Sequence, residues 1–84
     1  MKSIKEKDFN FSMGILIDVR KPLDYIKDHN HYSVNIPYDK LLLNHDILLD
    51  KHKKYFIICK NGIKSKKVVR ILTYYGYDVT NVII

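Results

Sequence analysis

The residues best suited to chemistry in this sequence are Cys59-Lys60-Asn61-Gly62-Ile63-Lys64-Ser65, which hold the only cysteine of the chain. Lys60, Lys64, Lys66, Lys67 and Arg70 fall close behind it with no acid among them. Gly62 permits the positive φ that curls a backbone. A curled loop turns successive N–H groups inward, and a helix starting there adds the positive end of its dipole. Such a setting favours a thiolate over a thiol. A free cysteine at the end of a buried strand commonly only packs. The glycine loop and the lysines turn the reading towards chemistry.

Magnitudes say which chemistry. Lowering a thiol pKa from ~8.5 to ~6.5 raises its thiolate fraction at pH 7 roughly 25-fold. Intrinsic nucleophilicity falls about 8-fold over the same interval, so the net gain is only ~3-fold. Activation alone does not account for so polarised a loop. Holding an anionic substrate, or an anionic sulfur adduct on Cys59, accounts for it better.

The elements that must position this loop alternate in type. Ile15-Leu16-Ile17-Asp18-Val19 and Tyr55-Phe56-Ile57-Ile58 read as buried strands, the second ending at Cys59. Val34-Asn35-Ile36 reads as a short strand and Val79 to Ile84 as a last one. Pro22 suits the first turn of a helix whose inner face would be Leu23, Tyr25 and Ile26. A second helix is expected from Asp39 to about Asp50, with Leu42, Leu43, Ile47 and Leu48 inward and a break near Asn44-His45. A third is expected from Ser65, with Val68, Val69, Leu72 and Tyr75 inward and Gly76 just past its end. Alternation of this kind predicts a small α/β domain with a mainly parallel sheet flanked by helices. Ligands in such sheets sit beyond the carboxyl ends of the strands, where Cys59 is placed.

Three stretches then resemble, in order and spacing, the single-domain rhodanese-like (thiosulfate sulfurtransferase-like) family over roughly residues 15–83. Asp18-Val19-Arg20-Lys21-Pro22-Leu23-Asp24-Tyr25 is similar to D-V-R-x-P-x-E-[FY], with Asp24 for Glu. His29 through Val34-Asn35-Ile36-Pro37 is similar to H-I-x-G-A-x-N-I-P, with Tyr32-Ser33 for Gly-Ala. Cys59 to Ser65 is similar to C-x-x-G-x-R-S, with Lys64 for Arg. The resemblance implies that Cys59 is a nucleophile that takes sulfane sulfur from a donor such as thiosulfate and passes it to a thiol or cyanide. It implies that Lys60, Asn61, Gly62, Ile63 and Lys64 bind the substrate and that Asp18, Arg20 and Ser65 brace the site. The six-membered loop from Cys59 to Lys64 is the length the family associates with sulfur rather than phosphate. Relatives commonly continue into a further C-terminal helix, so one sheet face is expected to be thinly covered, to be completed by a second copy or a partner protein. The alternatives are a sulfur-carrying or interaction module without turnover, a phosphatase or arsenate reductase-like enzyme, and a nucleic-acid-binding domain.

Composition bounds the rest. Eighty-four residues, 46% apolar and 29% charged, make one domain over 1–84 with an ordinary globular balance. No apolar run approaches the ~20 residues of a membrane span, and residues 1–8 do not read as a secretory signal. One cysteine allows no internal disulfide, so a reduced, cytoplasmic domain is expected. The net charge of +6 is lopsided: residues 1–50 carry −1 and residues 51–84 carry +7. A basic run is ordinarily a solvated face. Tyr74, Tyr75 and Tyr77 beside it suggest base stacking, but Tyr75 falls on the apolar face and Tyr77 precedes a strand, so nucleic acid is not the expected partner. His29, His31, His45 and His52 have no framing carboxylates or thiols, so no metal is expected, and no nucleotide-loop motif or cofactor is found.

Overall fold

A computed structural model of the chain describes all of residues 1–84. The central strand, β4 (Lys54–Ile58), buries both faces, and Tyr55 to Ile58 accordingly read as one unbroken apolar run. The strands are β1 (Ser3–Lys5), β2 (Ile15–Asp18), β3 (Ser33–Asn35), β4 (Lys54–Ile58) and β5 (Asp78–Ile83). The helices are α1 (Pro22–Lys27), α2 (Tyr38–Leu43), α3 (His45–Leu48) and α4 (Ile63–Tyr74), with two single 3-10 turns at Glu6–Asp8 and Phe11–Met13. The sheet has the order β1-β5-β4-β2-β3 and every pair is parallel. The chain leaves β2 towards one edge and β4 towards the other, so the crevice between their carboxyl ends is the topological switch point.

The expected strands and helices are present, shifted by a residue or two at their ends. Strand β1 has no counterpart in the sequence-based reading, because three residues with one apolar side chain carry no period. Ile17, Val19, Tyr55, Ile57 and Val79 pack with Leu41, Val68, Val69 and Leu72 on one side of the sheet. Leu16, Phe56, Ile58 and Val82 face the other way. That second face is not thinly covered: all four residues are buried, with Ile4 and Phe9 of the N-terminal segment packed against them.

Two helix faces differ from expectation. Leu23 and Ile26 are 76% and 73% exposed, and only Tyr25 of that set turns inward, its hydroxyl donating to the Ser33 carbonyl at 2.7 Å. In α2 Leu41 is buried and Leu42 packs against the core as expected, whereas Leu43 and, in α3, Ile47 are each 80% exposed and Leu48 is 38% exposed. The break at Asn44 resets the helical phase, so one stripe cannot run through both turns. Helix α4 ends as its sequence predicts: Gly76 takes φ 93°, its N–H donates to Thr73, and the Tyr77 N–H donates to Leu72, each at 3.0 Å. Tyr75 is not a core residue; it is half exposed and stacks on His45.

Tyr77 is buried beside that helix end with its hydroxyl 2.8 Å from His45 Nδ1. Burial, then Asp46 and Tyr55, push its pKa above the ordinary value. A folded-state value above the unfolded one contributes stability that is intact below about pH 10 and lost as pH rises through the folded value. Urea unfolding of Tyr77→Phe should therefore show a flatter loss of stability above about pH 10 than the wild type.

Candidate functional site

The site forms where β2 and β4 lie in register, Asp18 beside Ile58, so that Asp18-Val19-Arg20 and Cys59 leave the sheet together. The Val19 N–H donates to the Ile58 carbonyl at 3.1 Å, extending the pairing one step past the strands. Asn35 Nδ2 donates to the carbonyls of both Asp18 and Arg20 at 3.0 Å, which fixes the turn after β2. Arg20 folds back on Asp18: its Nε lies 3.1 and 3.0 Å from the two carboxylate oxygens and its Nη2 2.9 Å from Oδ2. The Arg20 backbone N–H adds a fourth bond at 2.9 Å. The Asp18 hydrogen bond raises the guanidinium pKa further above its ordinary value, against the opposing effect of burial. Arg20 also reaches α1 through the Asp28 carbonyl, 2.6 Å from Nη2. Asp18 and Arg20 therefore spend their charges on each other and brace the wall of the site.

Cys59 is 4% exposed at the tip of β4, with Sγ under the first turn of α4. The Ser65 N–H donates to Sγ at 3.3 Å, and Sγ in turn donates to Asn61 Oδ1 at 3.8 Å. Asn61 Oδ1 also accepts the Ile63 N–H at 3.0 Å, closing a tight turn. Gly62 has φ 77°, the left-handed conformation that lets the loop curl into α4. The N–H groups of Lys60, Asn61, Gly62 and Lys64 donate to no protein atom. Three of these free amides precede the twelve-residue helix α4 and the fourth lies in its first turn, an arrangement suited to an anion beside the sulfur.

Two clefts meet at Cys59. The larger, about 430 Å³, lies between the loop and α1, with Arg20, Lys21, Lys27, Lys60 and Lys64 set against Asp24 and Asp28. The smaller, about 330 Å³, lies towards the N-terminal segment and is lined by Glu6, His29, Asn30 and Ile84 together with Asp18, Arg20 and Lys60. Seven of the nine residues expected at the site line these clefts, while Gly62 and Ser65 lie in the loop and first helical turn behind them. Lys60 borders both clefts. The Lys64 ammonium is drawn over the Tyr38 ring, 5.7 Å from its centroid, as well as lining the larger cleft. Ser65 is fully buried and acts through its backbone and hydroxyl.

Sequence reasoning missed the α1 wall. Lys21, Asp24 and Lys27 recur every third residue and so share a helical face, a spacing legible once Pro22 marks the helix start. It also missed Asn81, which bonds to Ser65 across the layer and lies beside Thr80 and Val82 in β5. The histidines are dispersed: His29 stacks on Tyr25 and His45 on Tyr75, and no three potential ligands converge on a metal position.

Comparison with known proteins places this geometry. The family model described as Rhodanese-like domain matches residues 2–84. A rhodanese-related protein from Thermoplasma volcanium superposes with a TM-score of 0.88 at 31% identity, covering 98% of this chain and 83% of its own. A rhodanese-like domain protein from Staphylococcus aureus gives 0.82 at 29% identity, over 98% of this chain and 84% of its own. Reduced CoADR-RHD from Bacillus anthracis gives 0.87 at 28% identity, over 96% of this chain but only 15% of its own length. No curated protein matches the chain.

Proposed function

We propose that this chain, which belongs to the rhodanese-like domain family, carries sulfane sulfur on Cys59 as a persulfide and hands it to a thiol. The observation that carries the reading is the Ser65 N–H set 3.3 Å from Sγ at the amino end of α4, beside loop amides that the protein leaves free. A negatively charged outer sulfur would gain from those dipoles, and Lys21, Lys27, Lys60 and Lys64, which outnumber Asp24 and Asp28 in the larger cleft, would draw an anionic donor towards it.

With thiosulfate as donor, the Cys59 thiolate attacks the outer sulfur. A new S–S bond forms and the sulfur–sulfonate bond breaks, its electron pair leaving as sulfite. Lys60 and Lys64 balance the charge of that oxyanion. An acceptor thiolate, on a small molecule or a protein, then attacks the outer sulfur and restores the Cys59 thiolate. The proton of an acceptor thiol goes to solvent, and no external oxidant or reductant is needed. Lysine at position 64 offers a point charge rather than a planar fork, which suits a loosely held, exchangeable anion.

Intact-mass measurement after incubation with thiosulfate tests this. The wild type should gain one sulfur atom, Cys59→Ser should gain none, and a thiol should remove the adduct. No adduct from any sulfane donor sinks the reading and leaves an interaction module. Hydrolysis of an aryl phosphate that is lost in Cys59→Ser would instead indicate a phosphatase.

A further inference from the structure

Asn81 lies in the middle of β5 and is 1% exposed. Its backbone is held from both sides, in register with Ile57 of β4 and Ser3 of β1, and its N–H donates to the Lys2 carbonyl at 2.9 Å. The side chain crosses to α4, where Oδ1 accepts the Ser65 hydroxyl at 2.6 Å. Its Nδ2 is the one buried side-chain nitrogen or oxygen with no partner. An unpaired, desolvated donor works against folding, and asparagine is a poor strand residue. Packing alone gives no reason for an amide here.

The reason lies at the other end of the contact. Ser65 is fully buried, and its N–H is the group that faces Cys59 Sγ. Its hydroxyl sits between Asn81 Oδ1 and the Gly62 carbonyl, 3.2 Å away. One hydroxyl proton serves one acceptor well. Turning the Asn81 amide over would let Nδ2 donate to Ser65 and free the hydroxyl proton for Gly62, leaving an under-satisfied oxygen in place of an orphan N–H. In either orientation Asn81 fixes the Ser65 rotamer and ties the sulfur loop to a rigid strand.

We propose that Asn81 is a positioning residue for Cys59: acting through Ser65, it aims the Ser65 N–H at the sulfur. The inference rests on the sulfur-carrying reading for its purpose, but its geometry can be tested separately. Asn81→Leu removes the amide at similar volume, and its unfolding midpoint should equal or exceed that of the wild type, since the orphan donor goes with it. Sulfur transfer from thiosulfate to a thiol should fall about tenfold in kcat, with KM within about twofold. Ser65→Ala should behave alike, and the double variant should be no slower than either single, because both changes cut one link. Unchanged kcat in Asn81→Leu, or losses that multiply in the double variant, would overturn the proposal.

If the wild type takes up no sulfur, the functional reading fails, and hydrogen exchange then decides the role of Asn81. The Ser65 N–H should exchange about tenfold faster in Asn81→Leu, and an unchanged rate overturns the proposal. Should Asn81→Leu not fold, the Asn81 side-chain amide resonances are compared between the wild type and Ser65→Ala. They should shift; identical resonances count against the link.

Discussion

Arg20→Leu should lower the stability of the fold by about 3–5 kcal/mol, the usual effect of stranding a buried charge. Asp18 is nearly inaccessible, with 4% of its side chain exposed, and three of its four close contacts come from the Arg20 side chain. Leucine leaves the carboxylate with the Arg20 backbone N–H alone. A chain of this length has a total stability of roughly 4–13 kcal/mol, so the variant sits at or near unfolding. Arg20→Lys should fall between, because an ammonium cannot reproduce the forked contact. Asp18→Asn combined with Arg20→Leu should recover part of the loss, since no charge is then stranded. Urea titration of the four proteins measures this. An Arg20→Leu variant as stable as the wild type would mean that water, rather than Arg20, satisfies Asp18.

The second large effect is expected from Gly14→Ala. A methyl group there would lie 2.4 Å from the Lys54 carbonyl oxygen and 3.0 Å from Cε1 of Phe56. The first contact is backbone, at the point where β2 and β4 begin side by side, so no side-chain rotation relieves it. Gly14 has φ 161°, extended backbone open to any residue, so the penalty is purely one of space. Forcing the strands apart should cost about 3 kcal/mol and loosen the same pairing that delivers Asp18 and Cys59 to the site. Thermal unfolding should show a markedly lower midpoint. An unchanged midpoint would show that the β2–β4 junction yields easily.

Comparing these two positions shows what could be read in advance. Asp18 and Arg20 were legible as bracing residues through the motif Asp18-Val19-Arg20, although the motif does not say that they brace the site by pairing with each other. Gly14 was not, because its neighbour is forty residues away and no local pattern announces a carbonyl. The same holds for the cover of the second sheet face. Ile4 and Phe9 are separated by charged residues, and their pairing with Phe56 and Val82 is a property of the folded sheet alone. Helical phase failed where it was too short to measure. Six residues of α1 and six of α2 give fewer than two turns, and a stripe of leucines there is compatible with several faces. The loop from Cys59 to Ser65 was legible almost whole, since its glycine, thiol and helix start are consecutive. Its anchor, Asn81, was hidden by distance along the chain.

That distance has a consequence for the order of assembly. Ser3 pairs with Asn81 and Lys5 with Ile83, so the first strand of the sheet to leave a ribosome is joined to the last. A nascent chain that has just extruded Cys59 and its lysines still lacks the strand that steadies Ser65. The surroundings of the sulfur are therefore complete only when translation has passed residue 81 and the last strand has joined the sheet.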